Sequence, residues 1–313
     1  MKSRLRYRGR LGQAGLYLGK FLRIFVYQND WKVLPMAAVI SALVVFVVGQ
    51  NLFVTQEGTA TGTFALVCVC IWIGFFNSIQ IVCRERDVIK HEHRSGLHMS
   101  SYLLAQIILQ LLICILQTGI LLMVCRYAGV HIPEKGIIFG KGIVDIGITL
   151  FIITFASDMM ALMISCLVHN MTTAMTLMPF LLIFQLIFSG AYFDLPKAAM
   201  GITFLSISKW GVISLCSIGQ YNAQPMVTLW NTLFKFRNIE YMGRKPLLEI
   251  IQGMEQENRV NDFLMWSAEY NQNDMYVSDA LNVWITWIAM LLLALICIII
   301  AIISLESIDK DKR

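Results

Sequence analysis

The chain has 313 residues, a net charge of +5, and 57% hydrophobic against 14% charged residues, with a mean hydropathy of +0.66. Soluble domains carry about a quarter charged residues, and several runs here reach the ~20 apolar residues that cross a hydrocarbon core of about 30 Å, so a soluble globular domain is excluded. An outer-membrane barrel is excluded too, because its alternating strands give no such runs, and basic residues clustered at the N-terminus and in one central loop set membrane orientation rather than a nucleic-acid surface.

Residues 1–13 are basic, with Lys2, Arg4, Arg6, Arg8 and Arg10. From 14 to 31, Leu18, Phe21, Leu22, Phe25 and Val26 recur at helical spacing with Lys20, Arg23 and Asp30 between them. That pattern predicts an amphipathic helix lying along a membrane interface. The basic stretch leads into a full-length apolar run rather than a short one, so no cleaved leader is expected. Crossings are expected at 33–54, 63–83, 101–125, 143–168, 174–189 and 281–305. A turn at 55–62 with Gly58 and Gly62, a loop at 126–142 and a tight turn at 169–173 join them. Residues 190–217 are apolar but interrupted by Pro196, Gly201 and Gly211, which suits a re-entrant or interfacial helix pair. Residues 220–278 are polar and mixed in charge and read as a small external domain.

The fold class is therefore an all-α integral membrane protein of six transmembrane helices. An N-terminal interfacial helix precedes them, and re-entrant helices precede the last crossing. It divides into 1–32, 33–189, 190–278 and 279–313, with a charged loop at 84–100. The block 81–102 packs ten Asp, Glu, Lys, Arg or His residues between two apolar runs. Only Glu57 breaks the run between Lys32 and Arg84, and no Asp, Glu, Lys or Arg lies between Arg94 and Arg126. Such a block must sit in water between two crossings, where a membrane protein meets a soluble partner. With both termini inside, fifteen Lys and Arg fall on inner segments against three on the short outer loops, which favours cytoplasmic termini.

The residues exclude several chemistries. His91-Glu92-His93 is not followed by the second histidine that a HExxH zinc helix requires, because Ser95 stands there. No CxxC pairs any of the eight cysteines, so neither a metal site nor a disulfide framework is indicated. No P-loop occurs, so any ATP-driven work needs an ATPase on another polypeptide. Asp158 is the one ionisable residue deep in an apolar run. It reads either as a relay on a transport path or, the preferred reading, as a hydrogen bond to a neighbouring helix. Asp145 sits close enough to the outer end to stay solvated. Asn77, Gln80 and Arg84 form one helical stripe and Gln106, Gln110 and Gln117 another; such stripes either join helices or line a hydrated cavity.

Arg84-Glu85-Arg86, His91-Glu92, Ser95-Gly96 and Ser100-Ser101-Tyr102, followed by IFSGAYFDLP at 187–196 and then Ile207-Ser208 and Gly211, resemble the permeases of ABC exporters of the G-subfamily type. The resemblance covers nearly the whole chain and rests on the order and spacing of these motifs. It implies that the charged loop is a coupling helix on a nucleotide-binding subunit, with Arg84, Glu85, Arg86, Lys90 and Glu92 as its contacts. It implies a substrate cavity at Ile73, Asn77, Leu182, Ile183 and Leu186, and an outer plug at Ala191 and Tyr192.

The expected protein is thus the permease of an ATP-driven exporter of an amphipathic, lipid-like or drug-like substrate, with no covalent chemistry of its own. ATP and Mg would be bound by the partner ATPase and no cofactor by this chain. A second permease protomer and membrane lipid are the other partners, in the plasma (inner) membrane. This sequence has neither a fused ATPase nor the extracellular cysteines of the eukaryotic members. The alternatives are a proton-coupled carrier using Asp158, a membrane-bound hydrolase lacking any visible nucleophile set, and a non-transporting sensor or assembly partner.

Overall fold

Val- and Ile-rich runs favour strands in water, but a segment surrounded by lipid must satisfy every backbone group internally, which only a helix or a closed barrel achieves. The runs are accordingly helical in the computed structural model, which describes residues 9–28, 30–190, 196–240 and 243–307. The helices are α1 (Arg10–Tyr27), α2 (Val33–Val48), α3 (Gln56–Ser78), α4 (Ile81–Arg94), α5 (Met99–Tyr127), α6 (Gly142–Leu167) and α7 (Met171–Ile187). After them come α8 (Met200–Thr203), α9 (Ile207–Ile218), α10 (Thr228–Lys235), α11 (Pro246–Gln256), α12 (Val260–Glu269) and α13 (Ala280–Glu306). Among the described residues five helical segments are long and apolar enough to cross a membrane: Asp30–Val48, Gln56–Arg94, Met99–Tyr127, Gly142–Leu167 and Ala280–Glu306. The fifth expected crossing, α7, has 17 residues, about 26 Å of helix.

The core is α3, α6, α9 and α13 packed together, with α5 alongside. Its tightest crossing is at Gly74, where a Cβ would lie 2.5 Å from the Thr154 carbonyl oxygen and 2.8 Å from Ser157 Cβ. Small residues at such contacts let backbones approach, which is how helices gain dispersion energy in lipid. The N-terminal helix α1 lies against α5, burying Ala14 and Phe21 while Leu16, Leu22 and Val26 stay exposed.

The expected turn at 55–62 is instead the start of α3. Thr55 caps it, accepting from the Gly58 N–H at 3.1 Å. The chain leaves α2 at Val48 and folds 49–54 back into the core, burying Leu52 and Phe53. Gly58 and Gly62 are needed because any Cβ there would strike Asn51 and Leu52 respectively. They serve close packing inside a helix rather than chain reversal.

Asp145 is fully buried rather than solvated. Its carboxylate accepts from the backbone N–H groups of Ile137 at 2.6 Å, Ile138 at 2.9 Å and Phe139 at 3.1 Å, fastening the 130–141 loop over the end of α6. Three backbone donors replace the water that the charge gives up.

α9, with 12 residues, is about 18 Å long and too short to cross. It is sunk among α3, α6 and α13, and irregular backbone is tolerated at such depth when protein surrounds it. Its start is satisfied by Gln185 of α7. The Gln185 side-chain oxygen accepts from Ser206 Oγ and from the Ser208 N–H, each at 3.1 Å, and Ser208 Oγ donates to the Gln185 carbonyl. The segment α10–α12 docks on the start of α3: the Val227 and Thr228 N–H groups donate to Glu57, and Gln56 Nε2 donates to the Ala268 carbonyl. Trp230, Phe263, Trp266 and Tyr270 form its aromatic cluster, the rings tilted or edge-on to one another.

Candidate functional site

The charged loop is a helix, α4, set off from α3 by a break at Ile79 and Gln80. It ends in His91, His93 and Arg94, cations that suit a helix C-terminus, and Gly96 follows at φ +103°, the conformation that glycine adopts most cheaply. Val82, Cys83 and Ile89 form its buried side. Two neighbours hold it. Toward α6, Ser165 Oγ accepts from the Val82 and Cys83 N–H groups, and the Arg86 guanidinium donates to the Cys166 carbonyl at 2.9 Å and the Val168 carbonyl at 3.1 Å. These carbonyls close the C-terminus of α6, where helical partners run out.

Toward α1, Glu92 accepts from Tyr17 Oη at 2.9 Å and pairs with Lys20 at 3.1 Å. Burial, then the neighbouring Glu92 carboxylate, raises the Tyr17 phenol above its ordinary value, so it stays protonated as the donor. Gln13 adds bonds to the Gly96 carbonyl and the His98 N–H, and Tyr17 and Phe21 pack edge-on against Tyr102.

The five expected coupling residues are therefore placed differently from one another. Arg86 and Glu92 are turned inward as ties to α6 and α1. Arg84 is exposed and contacts Asp30 at 3.4 Å. Glu85 and Lys90 are half-buried, Glu85 lining an open cavity between α1 and α5. The outward face is instead Arg84, Asp87, Val88, His91 and Arg94. Asp87, Val88, His91 and Arg94 were not among the expected contacts, although the seven-residue spacing of buried Val82 and Ile89 marks the opposite side of the helix. Val88 is 50% exposed, an apolar centre ringed by charge.

A second feature is a groove of about 330 Å³ between α3 and α7. Leu182, Ile183 and Leu186 line it with Cys68, Ile71 and Trp72, and Gln185 and Ser208 add its few polar atoms. Ile73 and Asn77 do not line it. Ile73 is buried in the core, and Asn77 faces α5, exchanging two hydrogen bonds with Gln117 at 2.8 and 2.9 Å. Beside that pair, Asp158 accepts from Cys114 Sγ at 3.4 Å, a tie between α5 and α6. Its other oxygen has no partner among the described residues. Ala191 and Tyr192, the expected plug, lie outside the described residues.

A search of the curated proteins finds no match. A family model described as "ABC-2 type transporter" matches residues 22–218, from within α1 to the end of α9. That stretch contains α4, its tie to α6 and the α3–α7 groove, and it covers more than half of the chain. This chain belongs to the ABC-2 type transporter family, as a multi-pass membrane permease.

Proposed function

We propose that the chain is the membrane half of an ATP-driven exporter, working as a dimer with separate ATPase subunits that bind ATP and Mg. The observation that carries this reading is α4: a short polar helix fastened at both flanks, with a charged face and a single apolar residue left outward. Charges around a small apolar centre give orientation and partner choice. Asp87, Val88, His91 and Arg94 would meet the ATPase in the cytoplasm of a cell whose plasma (inner) membrane holds the chain. Closure of the ATPase pair would push α4 as a rigid body, and Arg86 and Glu92 would pass that displacement to α6 and α1. The permease contributes two cavity states of different affinity and no covalent step. The α3–α7 groove, apolar with a polar end at Gln185 and Ser208, suits an amphipathic cargo.

The test is affinity purification of the full chain in mild detergent, with mass spectrometry of what accompanies it. A P-loop ATPase should co-purify with the wild type and be lost from a Val88→Asp, Arg94→Glu variant that still elutes as a folded species. Glu92→Gln should keep the ATPase but lose cargo-stimulated ATP hydrolysis. Absence of any ATPase across several detergents would sink the proposal.

A further inference from the structure

A second cavity lies between α1, α3, α4 and α5, about 190 Å³ in volume. Ligand pockets for drug-sized molecules span roughly 300–1,000 Å³, so this space suits a headgroup rather than a whole cargo. Its walls divide by chemistry. Phe21 and Phe25 of α1 form an apolar side, while Asp30, Arg84, Glu85 and Gln110 bring charge and amide groups. Gln110 is 2% exposed, and its side-chain oxygen has no partner among the described residues. A buried acceptor left alone costs its full desolvation penalty, so the arrangement is complete only when a hydrogen-bond donor enters. Arg84 gives one contact to Asp30, at 3.4 Å, from a guanidinium that carries five donors, which leaves it free to bind an anionic oxygen as well.

The depth of the cavity also points to its occupant. Asp30 opens the first apolar span, and Arg84 lies beyond the apolar part of the second. Their level is therefore the junction of hydrocarbon and headgroups. Outward from the cavity, α1 shows Leu22 and Val26 to its surroundings, so lipid borders the site.

We propose that this cavity holds the headgroup of one amine-bearing zwitterionic phospholipid as a resident component, separate from the α3–α7 groove. The ammonium donates to Gln110 Oε1 and Glu85, and the phosphate accepts from Arg84. Its chains leave past Phe21 and Phe25.

The test is native mass spectrometry of the full, delipidated chain titrated with phosphatidylethanolamine, phosphatidylcholine and phosphatidylglycerol. The ethanolamine lipid should bind about fivefold tighter than the choline lipid, the worth of roughly one hydrogen bond, because choline carries no N–H. Gln110→Met should weaken that preference while melting no lower than wild type, since it removes an orphaned acceptor. Glu85→Gln, at a half-exposed position, should weaken it as well. Equal binding of the two lipids, or a preference unchanged in both variants, would overturn the proposal. Displacement of the lipid by soluble O-phosphoethanolamine at matched concentration would also overturn it, making the site one for a soluble solute.

Discussion

Glu92 has two bonding partners on α1, and the three side chains form a unit whose parts are not independent. The Lys20 pair is partly exposed, with side chains 38% and 30% accessible, so it contributes ~0.5 kcal/mol after screening. The Tyr17 bond to a charged acceptor is worth more, about 1.5 kcal/mol. A double-mutant cycle of Tyr17→Phe and Glu92→Gln should therefore show a coupling of about 1 kcal/mol in detergent melts, where independent residues would simply add. Gly74 offers a sharper test. Gly74→Ala places a methyl against the Thr154 backbone and should destabilise by roughly 1–3 kcal/mol. Gly119→Ala, with open space around its Cβ, should be neutral or stabilising by up to about 1 kcal/mol. Thermal melting of the two variants side by side would decide it, and equal shifts would contradict the crossing described.

At the scale of elements, two anchors carry predictions. Asp145→Ala releases three backbone N–H groups of the 130–141 loop, so trypsin should cut after Lys135 and Lys141 markedly faster than in wild type. An unchanged digestion pattern would count against Asp145 as the fastener. Gln185→Leu strips the start of α9 of its acceptor, and with ~1–3 kcal/mol for each orphaned group it should lower the melting temperature more than Gln220→Leu at an exposed loop position. The same elements show what was legible beforehand. The crossings at 101–125, 143–168 and 281–305 lie within α5, within a residue or so of α6, and within α13, because unbroken apolar length is a one-dimensional property. The turn at 55–62 was misread because Gly58 and Gly62 answer to residues folded back from 49–54, a contact that no local pattern encodes. Asp145 was misplaced for a similar reason: its donors are backbone N–H groups of Ile137, Ile138 and Phe139, whose side chains give no sign of them.

On the scale of the molecule, family and fold class were readable in the order of the motifs, whereas the placement of individual charges was not. In the sequence Arg86 and Glu92 are two charges of a loop; in the fold they also bond to the end of α6 and the middle of α1. Ile73 and Asn77 sit near the groove along the chain but face the core and α5, since successive helical residues differ by about 100°. For the complex as a whole, Leu182→Trp or Leu186→Trp should narrow the α3–α7 groove and lower cargo-stimulated ATP hydrolysis without releasing the ATPase. Loss of the ATPase from these variants would mean that the groove and the docking face are not separate.

α7 buries only Ala174, Met178 and Gln185 against the rest of the chain, in contrast to the heavily enclosed α3 and α6. One wall of the groove is thus tightly built and the other loosely held, and regions with few buried apolar contacts open at the lowest free energy. A groove with one yielding side has no fixed gauge. Molecules of different girth would pass at similar cost, and discrimination would fall on what they present to the polar end of the groove. Tolerance of cargo size would then follow from how little α7 is anchored.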